Sequence, residues 1–159
     1  MADELSHVDA AGHLRMVDVG DKQVTQRLAR VCGEITMQPE TIRLITENKV
    51  AKGNVLEVSR LAAIMAAKRT GDLIPLCHPL NVSGVDVAFE VGDDRVAVET
   101  AVRVDDRTGV EMEAFTAAAV ALLTIYDMCK AVDRGMVISN LRLEEKRGGA
   151  CSAYLRTSP

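Results

Sequence analysis

Hydrophobic and polar positions along this chain follow two periods, and the order in which the periods alternate specifies a fold. Over residues 24–37 the period is two, with Arg27, Ala29, Val31, Gly33 and Ile35 on one face, which predicts a strand. Pro39 then stands where a first helical position would be, with Glu40 behind it, and predicts a short helix to about residue 47. After Gly53, Asn54 and Glu57 stand three apart like a capping box with Asn in place of Ser or Thr. The helix they open runs to about residue 69. Its Val55, Val58, Leu61, Ala62, Met65 and Ala66 fall on one apolar stripe, the side such a helix buries. Val85, Val87, Phe89 and Val91, then Val96, Val98, Thr100, Val102 and Val104, alternate on either side of Gly92-Asp93-Asp94 and predict a hairpin. Residues 111–132 read as a long helix rich in Ala and Leu. Residues 137–145 and 153–156 read as short strands flanking Gly148-Gly149.

Strand, helices, strand, strand, helix, strand is the split β-α-β-β-α-β order of a ferredoxin-like fold. The expected class is therefore α+β, an antiparallel sheet with helices packed on one face. One domain over 1–159 is expected, with 1–22 a loosely structured N-terminal segment punctuated by Gly12 and Gly20. The long helix is apolar on nearly every side from Ala114 to Val132, whereas a sheet covers only one stripe. A second subunit is the expected cover for the other side, the alternative being the chain's own loops.

Composition narrows the class. The chain has 159 residues and a net charge of −4, with no Trp, two Phe and two Tyr. Neither a basic nucleic-acid face nor a base-stacking platform is supplied. Cys32, Cys77, Cys129 and Cys151 form no C-x-x-C pair, so no zinc or redox motif is present. No run is expected to reach the roughly 18 apolar residues of a membrane span, and residues 1–10 carry no apolar signal core. A cytoplasmic protein with reduced thiols is expected.

Candidate chemistry gathers in four places. Between Pro75 and Pro79, Cys77 and His78 lie on backbone that the prolines hold out of the helical region, a stiff platform for a thiol and an imidazole. Asp127 and Lys130, three apart on the long helix, are neighbours that interrupt an apolar surface. Paired and desolvated, they would be an acid/base couple with mutually shifted pKa values. Glu113, Thr116, Asp127 and Lys130 share one side of that helix. Glu111 and Glu113 in its first turn suit the helix dipole, or the N–H edge of a purine-like ring. Lys52, before Gly53-Asn54, suits anion capture at a helix N-terminus. Each also has a plain structural reading: a core-plugging loop, a solvated ion pair, a helix cap and a surface lysine.

Lys52-Gly53, Met65-Ala66-Ala67-Lys68-Arg69-Thr70, Leu73-Ile74-Pro75-Leu76-Cys77-His78-Pro79-Leu80, Thr108-Gly109-Val110-Glu111-Met112-Glu113-Ala114 and Leu123-Thr124-Ile125-Tyr126-Asp127-Met128-Cys129-Lys130-Ala131-Val132 closely resemble the cyclic pyranopterin monophosphate synthase family, accessory protein C of molybdenum cofactor biosynthesis. Ser6-His7-Val8-Asp9 and Met16-Val17-Asp18-Val19 fit as well, so the likeness spans roughly residues 5–156. The resemblance implies a lyase acting on a cyclised dihydro-GTP, 3′,8-cyclo-7,8-dihydro-GTP, made by an upstream radical enzyme. The product is cyclic pyranopterin monophosphate, with release of pyrophosphate. It implies catalytic Asp127, Lys130 and Lys52, and substrate contacts at Leu76, Cys77, His78, Glu111, Met112, Glu113, Arg27 and Lys146. It also implies a homohexamer, a trimer of dimers with sites at subunit interfaces, and neither nucleic-acid nor membrane partners. No metal site or cofactor is implied, although Mg2+ can accompany the triphosphate. Two departures stand out. Asn54 replaces an expected Asp, and Gly148-Gly149-Ala150-Cys151-Ser152 lacks a lysine expected after the glycines. A non-catalytic ligand sensor and a metal-dependent phosphohydrolase are the rival classes. A structural oligomer with a residual site is a third.

Overall fold

The computed structural model of the protein describes residues 7–149 and 153–157. Its elements are β1 (Thr25–Thr36), α1 (Pro39–Thr46), α2 (Val55–Ala67), α3 (Thr70–Leu73), β2 (Gly84–Val91), β3 (Arg95–Asp106), α4 (Glu111–Cys129), β4 (Val137–Arg147) and β5 (Tyr154–Leu155). They form a five-stranded sheet in the order β2-β3-β1-β4-β5, with every pair antiparallel. Without the short β5, this is the strand order of the ferredoxin-like fold that the periodicity predicts. Only α3, a single turn, was not foreseen. Before β1, residues 7–22 contain one isolated bridge, Val8 to Leu14, and a turn in which the Asp9 carboxylate accepts from the N–H groups of Ala11 and His13. Residues 1–6 and 150–152 lie outside the described residues, and with them Ser6 and the position of the missing lysine.

The alternation in β1 and β3 is realised on the core face. Ala29, Val31, Ile35, Val96, Val98, Thr100, Val102 and Val104 are all buried. Gly33 is required here, because a Cβ at that position would lie 2.9 Å from Cδ1 of Leu122 and 3.1 Å from Cδ1 of Leu141. Helix α4 can thus settle close onto the sheet. Thr100 donates from Oγ1 to the Ala114 carbonyl at 2.8 Å and ties the first turns of α4 to β3.

Three helix expectations need correction. First, α2 buries Val55, Ser59, Ala63, Ala66 and Ala67. Val58, Leu61 and Met65, from the expected core stripe, face outward, 43%, 59% and 44% exposed. Small side chains let two helices approach closely, and α2 lays its small-residue face on α4. Second, α4 ends at Cys129 rather than 132 and lies between the sheet and α2. Its side toward α2 is covered within the chain, while Leu123 of α4, 57% exposed, stays outward like Val58, Leu61 and Met65 of α2. Third, α4 does have the length and composition to cross a membrane, against expectation. Its packing is that of a core helix. The capping box is half made: Asn54 Oδ1 accepts from the Glu57 N–H at 3.1 Å, while the Glu57 carboxylate pairs with Arg60.

Topology places the chemistry at two ends. The start of β1, the end of β3 and the end of β4 adjoin, with Thr25 opposite Asp106 and Ala29 opposite Lys146. The N-terminus of α4 follows from the same place. The C-terminus of α4 is at the other end, beside the loop between α1 and α2.

Candidate active site

The first end holds a cavity of about 1140 Å³. Its walls include Arg27, Lys146, Glu111, Met112, Leu76, Cys77 and His78, seven of the eight substrate-contact residues expected from sequence. The 74–78 wall starts extended at Ile74, ahead of Pro75, with φ −105° and ψ 112°, and then turns, the Cys77 N–H donating to the Ile74 carbonyl at 3.1 Å. It folds back on α3 because Gly71 has no side chain: a Cβ there would lie 3.3 Å from Cα of Pro79. Arg27 is nearly buried, and donates from Nε to the Asp106 carbonyl at 2.9 Å and from Nη2 to the Arg107 carbonyl at 3.0 Å. Most of its guanidinium therefore shapes the loop before α4. Gly149, at φ +90°, passes so close that a Cβ would meet Nη1 of Arg27 at 2.5 Å. Lys146 is ion-paired with Glu111.

Glu113 is the exception. It is 1% exposed and lies behind Cys77, whose thiol donates to Oε1 of Glu113 at 3.6 Å. It borders a separate crevice of about 60 Å³ beside α3 and Pro79-Leu80. Its other oxygen, Oε2, is buried without a hydrogen-bond partner. Burial raises the Glu113 pKa from its ordinary value near 4.5. Burial and the Glu113 charge push the Cys77 thiol up to about 11, so it is protonated and a poor nucleophile.

The second end holds Asp127, Lys130 and Lys52. Lys130 Nζ donates to Oδ1 of Asp127 at 2.7 Å. Lys52 Nζ donates to Oδ2 and to the Asp127 carbonyl, each at 2.8 Å. Gly53, at φ +104°, turns the chain so that Lys52 reaches across. The trio corrects two expectations. The side chains are not desolvated, since Asp127 is 55% exposed. The pKa values also move away from neutrality: hydrogen bonds from Lys130 and then Lys52 bring Asp127 down to about 2, and Asp127 raises Lys130. The common side of α4 has two environments, for Glu113 and Thr116 are buried while Asp127 and Lys130 are open.

The expected catalytic trio and the expected substrate contacts do not meet within one chain. Glu113 and Asp127 are fourteen residues apart on α4 (127 − 113), about 21 Å at 1.5 Å per residue. The cavity also takes His7, Val17, Val19 and Lys22 from the segment expected to be loose, Gln23 just after it, and Arg107 and Thr108 from the loop before α4. Sequence reading missed these as site residues. The likenesses of Ser6-His7-Val8-Asp9, Met16-Val17-Asp18-Val19 and the motif opening at Thr108 to the resembled family hinted at His7, Val17, Val19 and Thr108. Among the described residues, no group of three or more His, Cys, Asp or Glu side chains is placed to hold a metal ion.

Residues 16–149 match the model of the MoaC family. The chain belongs to that family. A cyclic pyranopterin monophosphate synthase of Chloroflexus aurantiacus (strain ATCC 29366 / DSM 635 / J-10-fl) is 56% identical over 155 residues, covering 96% of this chain and 95% of that protein. One of the same name from Streptomyces griseus is 54% identical, covering 98% of this chain and 88% of that protein. The stretch matched to the MoaC family contains every residue of the trio and every expected substrate contact.

Proposed function

We propose that this protein is a cyclic pyranopterin monophosphate synthase. It converts 3′,8-cyclo-7,8-dihydro-GTP to cyclic pyranopterin monophosphate, with release of pyrophosphate, in molybdenum cofactor biosynthesis. Beyond family membership, one observation carries the reading: a carboxylate clasped by two lysines in the last turn of α4, in a protein whose large cavity at the other end counts Lys22, Arg27, Arg107 and Lys146 among its walls. Arg27 and Lys146, with Lys52, neutralise the triphosphate, since phosphate oxygens favour several cationic contacts. A sugar oxygen bonds to the α-phosphorus, the bond from that phosphorus to the bridging oxygen breaks, and pyrophosphate leaves with the electron pair. Cations at the α-phosphorus stabilise the charge that develops. Asp127 and Lys130 move protons while the purine-derived ring opens and recloses. His78 and the 76–78 wall orient the base.

An Asp127 carboxyl near pKa 2 is a weak base. Substrate phosphates that draw Lys52 and Lys130 away, and a partner surface that excludes water, both raise it toward the working range. That partner is a second copy. In a homohexamer, a trimer of dimers, the trio of one protomer faces the cavity of another. The outward Val58, Leu61 and Met65 are apolar surface suited to such contacts. The enzyme works in the cytoplasm on substrate from an upstream radical enzyme. It carries no metal of its own, and Mg2+ rides with the triphosphate.

The test is to supply the purified protein with that radical enzyme's product, then assay pyrophosphate and the fluorescent oxidised pterin. Both should appear together. Substrate that persists unchanged would sink the reading, and pyrophosphate without pterin would favour a phosphohydrolase.

A further inference from the structure

The last turn of α4 and the loop carrying Lys52 have no strand between them, yet Lys52 and Lys130 meet Asp127 within 2.8 Å. One buried carboxylate outside the trio links their two supports. Asp133, 3% exposed, follows Lys130 by three residues, and its N–H donates to the Cys129 carbonyl at 3.1 Å. Its Oδ2 accepts from the Gln38 N–H at 2.8 Å and from the Thr41 hydroxyl at 3.2 Å. Its Oδ1 accepts from the Gly135 N–H at 3.0 Å. Gln38 is the N-cap residue of α1, and its own side chain makes no capping bond. A helix start needs an acceptor for its free N–H groups. Ser or Asp at position 38 would accept locally from the N–H of residue 40 or 41. Asp133, from the loop beyond α4, instead takes the N–H of the N-cap residue itself and the Thr41 hydroxyl. These bonds therefore fix α1, and the chain leading from it to Lys52, against the loop that carries Lys130.

We infer that Asp133 is a positioning residue of the reactive centre. It sets the separation of the supports from which Lys52 and Lys130 grip Asp127, and touches no reacting atom itself. This rests on the reading of that trio as the catalytic group. The carboxylate is specifically needed. Its two oxygens serve two backbone donors and a hydroxyl, whereas Asn would turn an NH2 group toward one of the donors.

The test compares the wild type with Asp133→Asn, Thr41→Val and the double variant Asp133→Asn/Gln38→Asp, which returns a local cap to α1. Lysine reactivity is read first, without substrate, from acetic anhydride labelling and mass spectrometry. Lys52 and Lys130 in Asp133→Asn should label at least threefold faster relative to exposed Lys68, and Thr41→Val should move the same way by less. On substrate, kcat should fall at least tenfold with KM within twofold. The double variant should regain melting temperature but not kcat. Unchanged labelling in Asp133→Asn, or recovery of kcat in the double variant, would reduce Asp133 to a helix cap and overturn the proposal. A wild type that makes no product would remove the synthase reading, while the labelling would still decide how Asp133 acts on the lysines.

Discussion

Separation of the two clusters along α4 gives a quantitative prediction. Reacting groups must come within about 3–3.5 Å of each other, yet Asp127 is about 21 Å along the helix from Glu113. If each site takes its cavity from one protomer and its trio from another, two inactive variants can complement each other. Asp127→Asn removes the carboxylate of the trio, and His78→Ala removes the imidazole of the cavity. Each alone should retain under about 1% of wild-type turnover, in line with the loss of a proton-transferring group at Asp127 and of a substrate-orienting group at His78. In oligomers refolded from an equal mixture, half the cavities and half the trios are intact. Paired at random, about a quarter of the sites then hold both intact parts. Pterin fluorescence per milligram should therefore recover to about 25% of wild type, while the same proteins mixed without refolding stay inactive. A refolded mixture no more active than its parents would refute the shared site and place both clusters in the service of a single protomer.

Three further predictions follow from particular contacts. Asp127→Asn and Lys52→Ala should each lower kcat by about 10²-fold or more without moving the melting temperature, because exposed ion pairs add little stability. Turnover within tenfold of wild type in either would contradict the assigned roles. Gly33→Val should cost about 1–3 kcal/mol by overpacking against Leu122 and Leu141, read as a drop of several degrees in thermal unfolding; an unchanged Tm would mean that α4 yields freely. Glu113 has a raised pKa in the fold, so the native state holds its proton more tightly than the unfolded chain. Its contribution to stability should fall as pH rises from about 4.5 to the folded pKa. Relative to wild type, Glu113→Gln, neutral throughout, should gain stability across that window in urea titrations. A difference independent of pH would show that the carboxyl is not held protonated.

Much of this protein could be read from its sequence. Alternation in β1, β2 and β3 gave the core face directly, since a strand's period of two maps each residue to one side of a sheet. The prolines at 75 and 79 kept the segment that carries Cys77 and His78 out of a helix, because ring closure acts on the chain locally. Asn54 marked the start of α2 by the same kind of local chemistry. The spacing of Asp127 and Lys130 made them neighbours through helix geometry alone, and the long motifs around them pointed to the family.

Tertiary structure decided what depends on partners distant in sequence. Helix α2 has apolar residues on two sides, and its period cannot rank them. The choice fell to Ser59, Ala63 and Ala67 because α4 lies close enough to exclude larger side chains. Glu111 and Glu113 look alike in sequence, yet one turn geometry sends the first to Lys146 in the cavity and the second beneath Cys77. Asp127 was legible as charged, but not as exposed, nor as held by Lys52 from 75 residues away. Periodicity reports which side of an element a residue takes. What lies on that side is fixed only when the elements pack, and with it the dielectric and the charges that set each group's chemistry.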